Sequence, residues 1–184
     1  PFLRDKAKIK SGDQVLVVGA SGAVGTAAVQ IAKHFGAVVT GVTSTPNVKL
    51  VASIGADRVI DYKQQDFTTT GETWDIIVDT TGTVPFGRCA NSLRPGGRLV
   101  AVAGSLAQWL GIGNPPKTSG MTVISGVVTA TPEDLRYIAM LASSGALKPV
   151  IDRFYRLEDA AEAYAYVDTG RKRGSVVLTV ATGQ

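Results

Sequence analysis

The sequence predicts an α/β fold: a doubly wound, parallel six-stranded sheet of order 3-2-1-4-5-6, with a remnant of a second domain behind it. Three observations carry this. Short apolar runs alternate with helical patterns, the signature of βα units stacked into one sheet. A turn with glycines at three-residue spacing, Gly19, Gly22 and Gly25, joins the first run to the first helix. Two further strand-like runs follow the sixth and fall outside the alternation. Right-handed crossovers set the strand order and place a ligand crevice at the C-terminal strand ends.

In chain order, residues 1–10 read as the end of a helix whose beginning is absent, so a truncated chain is expected. Ser11-Gly12-Asp13 turns into the first strand, Gln14 to Val18, whose apolar run Val15-Leu16-Val17-Val18 suits a strand buried on both faces. In the helix after the glycine turn, Val24, Ala28, Ile31 and Phe35 recur at helical spacing and are expected to face the sheet. Gly36 ends that helix. The second strand is Ala37 to Thr43, a short helix runs from Asn47 to Ile54, and Asp57 to Tyr62 is the third strand.

A polar stretch, Lys63 to Thr73, leads to the fourth strand, Trp74 to Asp79. Pro85 to Leu93 reads as helix, Arg94-Pro95-Gly96-Gly97 as a turn and Arg98 to Ala103 as the fifth strand. Residues 104–120 form a long glycine- and proline-bearing loop, of a length that is usually functional or mobile. Met121 to Val128 is the sixth strand. Thr131-Pro132-Glu133-Asp134 is a well-formed helix start, with a capping hydroxyl, a proline at the first position and acids on the dipole's positive end. That helix runs to Ser144. The tail then differs: Lys148 to Phe154, a helix from Leu157 to Val167, and a last strand from Ser175 to Val180. These two strands look like pieces that pair with something not present. The division is 1–146 for the nucleotide-binding domain and 147–184 for part of a second one.

Composition excludes several classes. The 184 residues are 45% hydrophobic and 18% charged, enough for a core and too apolar for disorder. No apolar run approaches the roughly 20 residues a membrane helix needs. The net charge of +4 is spread along the chain, apart from Arg171-Lys172-Arg173. A nucleic-acid surface would want clustered cations with stacking aromatics, whereas an anionic small ligand accounts for the bias equally well. The single cysteine, Cys89, cannot form an internal disulfide, which fits a reducing cytoplasm, and reads as a buried filler. No Cys/His cluster has metal-ligand spacing. His34, the only histidine, sits near a helix C-terminus, where the dipole tolerates a cation.

The glycine turn is the chemistry-bearing motif. Its glycines let backbone approach a ligand, and the helix behind it offers unpaired N–H groups and a positive dipole end to an anion. Gly19, Ala20, Ser21, Gly22, Ala23, Val24 and Gly25 are therefore expected to cradle a pyrophosphate. NAD sites carry an acid at the end of the second strand to hold the ribose 2′-hydroxyl. Here that position reads Val42-Thr43-Ser44-Thr45, without an acid that would repel a 2′-phosphate. Thr43, Ser44, Lys49 and Tyr62 can surround such a phosphate, and the cofactor expected is NADPH. Ser44 as a helix cap and Lys49 on a solvated face are the plainer alternatives. Thr80 and Gly82 after the fourth strand, and Ala103, Gly104 and Ser105 after the fifth, sit where a nicotinamide would lie. Asp79 is either a turn acid or part of that site. No catalytic triad can be assembled around one histidine, and the tyrosine–lysine pair of short-chain dehydrogenases is missing: Tyr137 is followed four residues on by Leu141, and Tyr164 by Asp168. The catalytic residues stay unknown.

The run from Val15 to Lys33 resembles the medium-chain dehydrogenase/reductase superfamily, in its zinc-independent quinone oxidoreductase type. So do Ile54-Gly55-Ala56-Asp57, Val59 to Tyr62, Arg94 to Gly97, Leu147 to Arg153, Leu157 to Ala163 and Arg173 to Leu178. The resemblance implies a Rossmann cofactor domain set within a catalytic domain whose larger part precedes it. It implies hydride transfer from NADPH to a quinone, enone or related carbonyl substrate, and a homodimer joined through the edge strand 121–128. An apolar strand edge of that kind is hazardous if left open. Where relatives often carry a basic residue after the second strand, this chain has Pro46. Zinc-type alcohol dehydrogenases, and a non-catalytic NAD(P)H-binding sensor or interaction module, are the alternatives.

Overall fold

The computed structural model describes residues 1–102 and 113–180. Six parallel strands form the main sheet: β1 (Gln14–Val18), β2 (Val38–Thr43), β3 (Arg58–Asp61), β4 (Trp74–Asp79), β5 (Leu93–Ala101) and β6 (Thr122–Ile124), in the order β3-β2-β1-β4-β5-β6. The expected topology is therefore the observed one. β1 lies at its centre, with Val15 opposite both Val39 and Ile76, and Leu16 opposite both Thr40 and Ile77.

Side-chain alternation splits β1 between two cores. Val15 and Val17 join Val29, Ala32, Val39, Val51, Ile76 and Val78 on one face. Leu16 and Val18 join Val42, Ile60, Trp74, Ile77 and Leu99 on the other. Burial on both sides is what an uninterrupted apolar run in a parallel strand requires. Each fully buried Leu or Ile contributes about 1.5–3 kcal/mol of transfer free energy.

The helices are α1 (Ala23–His34), α2 (Val48–Ser53), α3 (Phe86–Cys89), α4 (Pro132–Ser143) and α5 (Ala160–Asp168), with a π-turn at Phe2–Lys6. In α4 the Thr131 hydroxyl accepts from the Asp134 N–H while the Asp134 carboxylate accepts from the Thr131 N–H, a complete capping box. Arg4 donates to the other oxygen of Asp134 at 2.6 Å, tying the first residues of the chain to this cap.

Four expectations change. α1 buries Gly25, Thr26, Ala28, Val29 and Ala32, and Ile31 and Phe35 pack partly buried against the same core as expected, whereas Val24 is 50% exposed. Gly25 packs directly on the backbone of the turn at Gly19 and Ala20, where a Cβ would not fit. The anticipated turn at Arg94–Gly97 lies within β5: pairing jumps from Trp74↔Leu93 to Ile76↔Arg98, so these residues bulge from the ladder. Pro95 has no N–H to give and Gly96 has φ +75°. The sixth strand shortens to Thr122–Ile124, ahead of Gly126 at φ +108°.

The largest change concerns the tail. β7 (Ile151–Arg156) and β8 (Ser175–Thr179) pair with each other, in parallel, with α5 as the crossover, forming a two-stranded sheet separate from the main one. A β-strand, helix and parallel β-strand in sequence is the crossover connection that parallel neighbours need. Ala103 and the first part of the expected 104–120 loop lie outside the described residues.

Candidate functional site

The first turn of α1 is built to receive an anion. Its N-cap is Gly22, which has no side chain to cap with, so the leading N–H groups lack intrahelical partners. Gly19 holds φ +78°, and a Cβ there would come within 2.5 Å of Thr81 Cγ2. At Gly25 a Cβ would run into the Gly19 carbonyl oxygen. The turn is closed by Gly22 N–H donating to the Gly19 carbonyl at 3.0 Å, and by the Gly19 and Ala20 N–H groups donating to the Val42 carbonyl.

Beside the turn a cleft of about 720 Å³ opens at the C-terminal ends of β1, β2, β3 and β4, within the range of small-molecule and cofactor sites. It is lined by Gly19, Ser21 and Gly22, by Thr43 to Asn47, by Tyr62 and Lys63, by Thr80 and Thr81, and by Gly170 to Arg173. Thr43 is almost fully buried; its hydroxyl donates to Ser21 Oγ at 2.9 Å and fastens β2 to the glycine turn. Thr80 Oγ1 donates to the Val18 carbonyl at 2.8 Å. Asn47 Nδ2 reaches Ser21 Oγ and Ser44 Oγ, both at 3.2 Å, while its Oδ1 is buried without a hydrogen-bond partner among the described residues. A buried acceptor of this kind is costly unless something donates to it.

Of the residues expected at the site, Gly19, Ser21, Gly22, Thr43, Ser44, Tyr62 and Thr80 line the cleft together. Ala20 is fully buried beneath it. Ala23, Val24 and Gly25 supply the helix start and do not line it; Val24 lines an apolar groove with Phe2, Tyr137 and Ile138 instead. Lys49 is exposed on α2, outside the lining, because the short helix begins with a 3-10 turn at Thr45–Asn47 that points the cleft at Asn47. Gly82 also lies outside it, in the loop organised by Asp79. Ala103, Gly104 and Ser105 lie outside the described residues.

Asp79 is a turn acid. Fully buried, it accepts from the N–H groups of Thr81 at 2.9 Å, Gly82 at 3.1 Å and Val84 at 2.8 Å, and from the Thr81 hydroxyl at 2.7 Å. Cys89 is buried, and burial pushes its thiol up to about 11, which makes it unreactive. His34 contacts the rings of Phe35 and Tyr137 edge-on.

Sequence reasoning missed Asn47, Lys63 and the run Arg171-Lys172-Arg173. The tail folds back so that Gly174 N–H donates to the Ser21 carbonyl at 2.8 Å, forming a bridge to the glycine turn. The cleft lining thus carries four cations, Lys63, Arg171, Lys172 and Arg173, and no carboxylate. The triple basic run was the one signal available, but nothing local says that it meets a turn about 150 residues earlier.

Among the described residues no three His, Cys, Asp or Glu side chains are grouped as a metal site needs. No helix among them is long and apolar enough to cross a membrane.

Comparison with known proteins places this geometry in a family. A family model described as zinc-binding dehydrogenase matches residues 54–178. The chain is 33% identical to a 2-methylene-furan-3-one reductase from Solanum lycopersicum, over 95% of this chain and 42% of that protein. Among solved structures, a quinone oxidoreductase from Coxiella burnetii superposes with a TM-score of 0.84 at 26% identity, over 96% of this chain and 56% of that one. A structure described as an NAD-dependent alcohol dehydrogenase gives 0.82 at 29% identity, over 98% and 55%. The chain spans about half the length of the curated relatives it matches.

Proposed function

Because the chain belongs to the zinc-binding dehydrogenase family, we propose that it is the NADPH-binding part of an oxidoreductase that reduces a quinone, an enone or a related carbonyl compound. The observation that carries the cofactor choice is the cleft lining, four cations without a carboxylate. A 2′-phosphate is bound by such a wall and a free 2′-hydroxyl gains little from it. The substrate class follows the relatives: one is named for a 2-methylene-furan-3-one, an enone, and one solved neighbour is a quinone oxidoreductase.

When bound, the cofactor supplies the hydride, and the protein supplies binding, orientation and electrostatics. The uncapped first turn of α1 meets the pyrophosphate. Ser44, Tyr62, Lys63, Arg171 and Arg173 hold the 2′-phosphate, and the unpartnered Asn47 Oδ1 accepts from a ribose hydroxyl. Thr80 and Thr81 flank the nicotinamide side. The described residues offer zinc no ligand set, and no role here depends on one.

Residues 147–184 belong, in this reading, to a second lobe that supplies the other half of the substrate cleft. The whole protein is cytoplasmic and dimerises through the edge of β6.

Calorimetric titration of the 184-residue chain tests the cofactor. NADPH is expected to bind at least about tenfold tighter than NADH, a difference near 1.4 kcal/mol. Equal affinities, or tighter NADH, would sink the reading. The same chain is expected to turn over no quinone or enone unless a second lobe is present; measurable reduction by it alone would overturn the two-lobe arrangement.

A further inference from the structure

The basic run is not simply near the cleft; it is braced there. The loop between α5 and β8 is held from several sides. Thr169 Oγ1 donates to the Tyr166 carbonyl at 2.6 Å, the Arg171 N–H donates to Thr169 Oγ1 at 3.3 Å, and Lys172 Nζ donates to the Gly174 carbonyl at 2.8 Å. Beyond the loop, the Gly174 N–H meets the Ser21 carbonyl and the Ser175 N–H meets the Val150 carbonyl, each at 2.8 Å. One side chain from another element joins this set. Asp152 Oδ2, on β7, accepts from the Arg173 N–H at 3.0 Å and from the Tyr166 hydroxyl at 2.6 Å. The Arg153 guanidinium lies 3.8 Å from the centroid of the Tyr166 ring and holds that ring in place.

Asp152 makes these bonds with backbone and phenol, and forms no ion pair with the guanidinium of Arg171 or Arg173. Both residues are exposed, and neither has an ion-pair partner among the described residues. A carboxylate this close to an arginine run would ordinarily pair with it; here Asp152 feels the Arg173 charge without an ion pair and fixes the backbone, while Arg171 and Arg173 line the cleft.

We propose that Asp152 is a positioning residue for the cationic wall: through the Arg173 backbone and Tyr166 it sets how strongly the chain prefers a 2′-phosphorylated cofactor. This rests on the NADPH reading above. Burial opposes ionisation of Asp152, but the Tyr166 hydroxyl, the Arg173 N–H and the nearby Arg153 and Arg173 charges outweigh it and hold its carboxyl below the usual range.

Two physical effects point in opposite directions, and that makes the test sharp. Removing a negative charge from a phosphate site should by Coulomb's law alone tighten NADPH binding. Removing a brace should loosen it. Asp152→Ala is expected to lower the NADPH-over-NADH affinity ratio about tenfold while NADH affinity changes less than about twofold, read by calorimetry. Asp152→Asn keeps an oxygen at the same place for both donors and is expected to retain most of the ratio. Tyr166→Phe, which removes one brace and keeps the ring, should lose roughly two- to threefold. In an Arg171→Ala/Arg173→Ala background, Asp152→Ala should have no further effect on the ratio, because it acts through those arginines.

If the unmodified chain itself shows no preference for NADPH, the cofactor reading fails before Asp152 is at issue. If the preference exists and Asp152→Ala keeps or raises it, the positioning role is overturned and the cofactor reading stands. A fall in both affinities by the same factor would reduce Asp152 to a structural residue and overturn the proposal equally. Should Asp152→Ala fail to fold, Tyr166→Phe decides: an unchanged ratio in that variant refutes the brace.

Discussion

The six-stranded sheet and the β7–α5–β8 tail are made from the same parallel pairing, yet they are held in the molecule by different forces. In the sheet, Val15, Leu16, Val17, Ile76 and Ile77 are fully buried. In the tail, Ile151 is 43% exposed, Phe154 64% and Tyr164 69%. Several polar bonds fasten the tail to the sheet domain. Gln30 of α1 and the Lys148 backbone exchange two of them, Gln30 Nε2 to the Lys148 carbonyl at 3.0 Å and the Lys148 N–H to Gln30 Oε1 at 2.8 Å. Gly174 and Ser21 add another. Apolar burial makes the sheet stable, whereas directional bonds make the tail well placed. A segment that must present charges to a ligand needs position more than it needs a core of its own.

The comparison breaks most visibly through stability. Ile77→Ala empties a fully buried site between two elements of the sheet and is expected to cost about 2–5 kcal/mol. Phe154→Ala in the tail should stay within about 0.5 kcal/mol, as exposed positions do. Urea unfolding of both variants measures this, and comparable losses would mean that the tail carries a core of its own.

A smaller effect sharpens how the tail is attached. Gln30→Ala removes both bonds to Lys148 and is expected to cost about 1 kcal/mol globally. Amide exchange at residues 175–179 should accelerate more than at residues 14–18. Uniform acceleration across both strands would show the two regions opening as one unit.

The smallest effect lies at the cap of α4, where charge and not burial holds two pieces together. The Thr131 N–H and hydroxyl, with the Arg4 guanidinium, hold the Asp134 carboxyl at about 2, below its ordinary 3.8. Because the folded value is depressed, the stabilisation is complete above pH ~4 and is lost as pH falls from there towards 2. Melting temperature followed from pH 5 to pH 2 should drop less steeply in Asp134→Asn than in the parent chain. Parallel curves would remove Asp134 from the acid response, leaving the tail bonds and other carboxylates to explain it.

Particular residues show how much was legible beforehand. The run Val15 to Val18, the glycines at 19, 22 and 25 and the start at Thr131-Pro132 each carry their structure in a window of a few residues, and β1, β4 and α4 fall within a residue of where they were expected. Asp79 carried two readings, and the turn acid is the one observed: its four donors all come from residues 81–84, but only the folded loop aims them at the carboxylate. Lys49 and Val24 follow the same rule: one or two residues of helix start decided which way each side chain faces.

By itself the sequence determined the βα alternation, the strand order and an anion-ready helix start, since hydrophobic period, glycine placement and crossover handedness are local or follow from local pattern. Tertiary structure alone decided that β7 pairs with β8, and that Arg171, Lys172 and Arg173 meet Ser21, Ser44 and Tyr62 across one cleft. Contacts between distant parts of the chain are chosen by which surfaces fit once the sheet exists, and no periodicity within either segment records that choice.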